Sequence, residues 1–154
     1  MGLWLTEDEK QRQLDHLSGR IEAGQVDEEI IPLIDTINAY PDMVTAQSCS
    51  GHYGTVDGEV RRNVSCGNLW VRTTEHISGF FCKRAAVLAA REEIYQVSLM
   101  WGRSNTYQQQ EEPLWEFVFA GLNESPAALA TSMDIIAAWV GDAANAPGRL
   151  QGGF

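Results

Sequence analysis

The apolar residues of this chain change period along its length, and that change limits the architectures open to it. Ile30, Ile31, Ile34 and Ile37 recur at three- and four-residue intervals, the spacing of one helical face. Leu14, Leu17 and Ile21 do the same after Thr6 and Glu9, which stand at capping-box distance, with Gly24 as a stop. Tyr95, Val97, Leu99 and Trp101 instead alternate with Gln96, Ser98, Met100 and Gly102, the pattern of a half-buried strand. The remaining segments follow from the same two periods. Met43 to Cys49, Leu69 to Thr74 and Leu114 to Ala120 have strand composition, Ile77 to Ala90 has helical spacing, and Ser125-Pro126 opens a last helix running to about Asn145. Residues 55–67 and 105–112 are polar and predict loops.

The predicted order is α-α-β-β-α-β-β-α, with neither a repeat nor a linker long enough to separate domains. This is a single compact α+β domain, a mixed or antiparallel sheet packed by helices. A dinucleotide-binding fold is excluded, because no Gly-x-Gly-x-x-Gly follows a strand. The length of 154 residues also suits one domain. Twenty-one acidic residues against 11 basic ones give a net charge of −10, a field that repels phosphate backbones and disfavours RNA unless the bases gather on one face. Cys49, Cys66 and Cys82 are an odd number, which favours free thiols. The start of the chain lacks a basic region and an apolar export signal, and no window approaches about 18 consecutive apolar residues. A soluble cytoplasmic protein without a membrane partner is the expectation.

Reactive side-chain types are densest at Ser48-Cys49-Ser50-Gly51-His52, where a strand is predicted to open into a glycine-rich turn. Such turns offer backbone N–H groups and small hydroxyls together, which suits a carboxylate, a phosphate or a ribose. The plain alternative is an ordinary turn with polar caps. Cys49 as a nucleophile would need His52 to favour its thiolate, and a zinc site would have to assemble Cys49, His52, Cys66, His76 and Cys82 from separate elements; the spacing supports neither. Arg61, Arg62, Arg72 and Arg84 are candidates for phosphate contact or plain surface charge. Trp70 and Trp101 fall in predicted strands, where large aromatics usually belong to the core.

Gly24-Gln25-Val26-Asp27-Glu28-Glu29-Ile30, Ile37-Asn38, Pro41-Asp42, Thr45 and Ser48-Cys49-Ser50-Gly51 occur in an order that resembles the wybutosine-synthesising protein three family of tRNA-hypermodification methyltransferases. Gly67-Asn68-Leu69-Trp70-Val71 with His76 is similar to that family's Gly-x-Trp strand, and Glu112-Pro113 to its Glu-Pro motif. The resemblance covers about residues 15–140 and marks residues 1–145 as one divergent, truncated domain of this type, with 146–154 as a flexible tail. It implies S-adenosylmethionine as cofactor. Ser48, Cys49, Ser50, Gly51, His52, Trp70 and Thr74 would then line the cofactor site, with His76 and Glu112 in catalytic positions and His76 as the candidate base. Departures are also present: His52 stands where the family has Arg, Gln47 where it has Ser, Gln110 where it has Lys, and Phe117 where it has His.

Two functions follow. One is a methyltransferase that uses S-adenosylmethionine on a nucleoside in RNA. The other is a non-catalytic protein, of the kind a virus or mobile element would use against a defence signal, that holds or sequesters a nucleotide-like small molecule. An apolar patch on the last helix would suit a homodimer.

Overall fold

The computed structural model describes residues 3–49, 54–56, 59–61, 66–102 and 111–146. Helix α1 spans Glu7–Glu22; Thr6 Oγ1 accepts a hydrogen bond from the Glu9 amide at 3.2 Å, the N-cap half of the predicted capping box, and donates one to Glu9 Oε1 at 3.0 Å, so that the Glu9 side chain closes on the Thr6 hydroxyl. Gly24, at φ 70°, takes the left-handed conformation that closes this helix, its amide reaching back to the Ile21 carbonyl at 3.0 Å. A short 3₁₀ turn at Glu28–Ile30 leads into α2 (Ile31–Asn38), with Pro32 in the first turn. Then come β1 (Met43–Cys49), the short strands β2 (Gly54–Val56) and β3 (Glu59–Arg61), β4 (Gly67–Thr73), α3 (Glu75–Ala89), β5 (Ile94–Gly102), β6 (Glu112–Phe119) and α4 (Pro126–Ala144).

Four strands form an antiparallel sheet in the order β1-β4-β6-β5, so the chain is an α+β domain with the element order its periodicity predicts. One expectation needs correction: part of the segment read as a loop is a hairpin, β2 pairing with β3. β-branched Thr55, Val56 and Val60 favour that extended pairing despite the polar surroundings.

One face of the sheet carries the core. Leu69 and Val71 of β4 and Phe117 and Phe119 of β6 are buried against Ile34 and Ile37 of α2, Phe81 of α3 and Ile136 and Val140 of α4. Phe81 meets Trp115 and Phe117 edge to face, at ring separations of 5.5 and 6.0 Å. The α4 helix is long and apolar enough to cross a membrane by length and composition, yet its stripe of Leu129, Ile136, Val140 and Ala143 belongs to this core.

The opposite face is treated differently. Helix α1 lies beside β1, but Leu14, Leu17 and Ile21 are half-buried and Gln13 alone in α1 is fully buried. Its anchors are polar because it packs against the edge of a sheet, where backbone groups need partners. Gln13 Nε2 donates to the Thr45 carbonyl at 3.1 Å, beside the irregularity that β1 carries between Thr45 and Gln47. Lys10 Nζ donates to the Asn38 carbonyl at 2.9 Å and to that of Tyr40. Burial lowers the pKa of this lysine, against an opposing pull from Asp42.

The edge strand β5 also departs from expectation. Its pairing shifts between Ile94 and Gln96, Ile94 enters the core, and Tyr95, Leu99 and Trp101 remain 50%, 46% and 60% exposed. Alternation gave the strand correctly but not its burial, because an edge strand has a neighbour on one side alone.

Candidate functional site

Register decides which predicted site residues can meet. Cys49 stands opposite Asn68 and Ser48 opposite Leu69, while Met43 at the other end of β1 pairs with Thr73. Asn68 and Thr73 are five steps apart on β4, roughly 17 Å at about 3.3 Å per residue. Ser48 and Cys49 therefore lie at one end of the sheet, and Thr74 and His76, which follow β4 directly, at the other. Ser50, Gly51 and His52 lie outside the described residues.

At the Thr74 end, the backbone amide of Thr74 donates to the Asp42 carbonyl at 3.0 Å, and Thr74 occupies the N-cap of α3 without a capping bond from its side chain. His76 sits in the first turn of α3, its ring edge-on to Phe80 at 4.9 Å, with Nε2 buried. Glu112 begins β6 and is buried. Arg72, also buried, is shared between two carboxylates: it bonds to Glu9 of α1, and its Nε stands 3.2 Å from Glu112 Oε2. That second contact is an ion pair without hydrogen-bond alignment, and among the described residues neither Glu112 oxygen has a hydrogen-bond donor. A cavity of about 10 Å³, the size of one water, adjoins them between Leu5, Gln13 and Val44. Arg72 is thus committed internally and is not a phosphate contact, while half-buried Arg84 is 3.4 Å from Asp142.

Trp70 lies midway, on the face away from the core. Trp70 and Trp101 are both outside the core, contrary to the expectation for strand tryptophans; Trp115 and Trp139 fill that role. The Trp70 indole N–H donates to Glu116 Oε2 at 2.8 Å, and Asn68 Nδ2 donates to the same oxygen at 3.0 Å. From β5, Gln96 Nε2 donates to Glu116 Oε1 at 3.2 Å and to Ser98 Oγ at 2.9 Å. Asn68, Trp70, Glu116 and Gln96 are thus tied together across three strands. A Cβ placed on Gly102 would meet Met100 Cε, Leu114 Cδ1 and Trp70 Cζ3, which puts apolar side chains beside the indole.

Ser48 has a second neighbour that sequence reasoning missed. A cleft of about 20 Å³ is lined by Ser48, Gln47 and Thr45 of β1 with Leu17 and Arg20 of α1 and Gln25. Arg20 and Ser48 therefore border one space, although they are far apart in sequence. No local signal marks Arg20, since its relevance depends on α1 lying along β1. Glu116 was missed for a similar reason: a single acid in a strand reads as a solvated position until its three donors are seen. Among the described residues, no three His, Cys, Asp or Glu side chains converge as metal ligands, and Cys49, Cys66 and Cys82 form no disulfide.

The fold and this face define a class: a small α+β domain whose antiparallel sheet has one core face and one face carrying an indole, a carboxylate and amides. The family model for methyltransferase TYW3 matches residues 8–94, more than half of the chain, and the chain belongs to that family. A curated relative, the tRNA(Phe) 7-((3-amino-3-carboxypropyl)-4-demethylwyosine(37)-N(4))-methyltransferase of Methanocaldococcus jannaschii, is 32% identical over 73 residues. That match takes in 47% of this chain and 38% of the relative's length. Among solved structures, the PH1069 protein from Pyrococcus horikoshii is similar over 94% of both chains at 16% identity, with a TM-score of 0.48.

The family's Ile-Asn motif acquires a physical meaning here. Asn38 Oδ1 accepts from the Thr45 amide at 2.8 Å, and its Nδ2 donates to Thr45 Oγ1 at 3.1 Å. The motif staples α2 to β1, three residues before Ser48.

Proposed function

We propose that this protein is an S-adenosylmethionine-dependent methyltransferase acting on a nucleoside in RNA, with its cofactor held on the outer sheet face that carries Cys49 and Trp70 and reaching around the strand end to Ser48, which stands opposite core-facing Leu69. The observation that carries this reading is the family match across residues 8–94, which contain those three residues. The residues present fit the cofactor's chemistry. Trp70 offers an aromatic surface to an adenine or a cationic sulfur, and the cleft between Ser48 and Arg20 offers a hydroxyl and a guanidinium to a carboxylate. When bound, the cofactor supplies an activated methyl group. The protein's part is to orient it against the acceptor and shield it from water.

His76 and Glu112 take a more distant part in this reading. They lie toward the Thr73 end of β4, and Glu112 is held beside Arg72. Their roles are assigned to the acceptor side, where His76 would receive a proton from the methylated nitrogen. The net charge of −10 means that RNA docking depends on a local basic surface.

Calorimetric titration with S-adenosylmethionine and S-adenosylhomocysteine tests the cofactor reading. Saturable binding is expected, weakened about tenfold or more by Trp70→Ala, consistent with the loss of a stacked aromatic. Absence of saturable binding to the wild-type protein would overturn the reading. Titration with cyclic and ADP-ribose-like nucleotides in parallel separates it from ligand sequestration.

A further inference from the structure

We propose that Glu116 makes the outer face of the sheet selective for a positively charged sulfur, so that the site holds the methyl donor more tightly than the neutral thioether left after transfer. This rests on the methyltransferase reading above and assigns a specificity-determining role to a residue outside the family motifs. Glu116 is half-buried at the centre of β6, with Trp70 directly opposite on β4 and Ser98 directly opposite on β5.

Among the described residues, its carboxylate receives three hydrogen bonds, from Asn68, Trp70 and Gln96. All three donors are neutral. They fix the carboxylate's orientation without cancelling its charge, unlike Glu112, which has Arg72 beside it. Among the described cations on this face, Arg72 lies two residues along β4 and is already divided between Glu9 and Glu112.

An indole that donates its N–H to a carboxylate is electron-rich at its face and sits next to a full negative charge. Both features attract a cation, whereas a neutral thioether gains only the weaker sulfur–aromatic contact and nothing from the carboxylate's charge. The methyl donor carries a sulfonium and its product does not, while the remainder of the two molecules is the same. The discrimination therefore acts at the one atom whose charge changes, and it favours product release after each turnover.

The test measures dissociation constants of S-adenosylmethionine and S-adenosylhomocysteine for the wild-type protein and for Glu116→Gln, whose amide oxygen can still accept from Trp70. The expected result is a ratio between the two ligands that shifts roughly 3- to 30-fold against the donor, with the product's affinity little changed. Gln96→Lys, at an exposed position, brings an ammonium to Glu116 Oε1 and should shift the ratio the same way even if Glu116→Gln folds poorly, as circular dichroism would reveal. Equal loss of both affinities, or an unchanged ratio in a folded variant, would overturn the proposal while leaving the cofactor reading intact. A wild-type protein that binds neither ligand would remove the cofactor reading and this selectivity with it.

Discussion

Gly67 is required for space, and the consequence of filling that space follows from the coordinates. It sits in β4 directly opposite Phe119 of β6, and a Cβ built on it would stand 2.1 Å from Phe119 Cε2, 2.5 Å from Cδ2 and 2.9 Å from Cζ. Ordinary contact begins near 3.4 Å, so Gly67→Ala forces the ring back by more than an ångström. Phe119 is fully buried and has Ile94 of β5 on its other side, so the ring cannot swing into solvent. Overpacking of this kind costs about 1–3 kcal/mol. For a chain of this length that corresponds to a fall in Tm of about 2–12 °C, read by a thermal melt followed by circular dichroism. Phe119→Leu removes the far atoms of the ring, so in the double variant the cost of Gly67→Ala should shrink well below its value alone. A Gly67→Ala protein that melts within about 1 °C of the wild type, or a double variant whose losses simply add, would refute the steric account.

Three further perturbations probe other parts of the fold. Arg72→Met leaves buried Glu112 without its cation, removes one partner of half-buried Glu9, and should cost about 3–5 kcal/mol in urea unfolding, part of it recovered when Glu112→Gln is added; no recovery would refute the shared ion pair. Asn38→Ala leaves the Thr45 amide without its acceptor and should cost about 1–3 kcal/mol in the same assay; an unchanged midpoint would show the staple to be unimportant. The hydrogen bond from the Tyr95 hydroxyl to Glu124 pushes the tyrosine pKa up to about 12. The folded state thus holds that proton more tightly than the unfolded chain, so this contribution to stability is complete below about pH 10 and is lost as pH rises through about 12. Ultraviolet titration of tyrosinate should show the late-ionising residue disappear in Glu124→Gln.

Within its periods and punctuation the sequence carried most of the fold. The Thr6–Glu9 cap, the Gly24 stop, the isoleucine stripe of α2 and the Ser125-Pro126 start of α4 are signals between residues a few positions apart, and each formed where local chemistry placed it. The motif order from Gly24 to Trp70 was equally legible, because a family likeness is a property of the linear chain. Burial was less so. Leu99 and Trp101 have the alternation of an inward face, yet they lie exposed on an edge strand, while Gln13 and Arg72, polar by type, are buried by what lies across from them.

The sequence by itself determined the kind of each main element, the single α+β domain and the family, since these depend on short-range periodicity and ordered motifs. Tertiary structure alone decided that Cys49 and His76 stand at opposite ends of β4, that Arg20 borders the same cleft as Ser48, and that Glu116 gathers donors from the strands on both sides of it. Those relations depend on strand order and register, which bring residues tens of positions apart within a few ångströms of one another. Local patterning carries no record of them, because each is created when the sheet pairs.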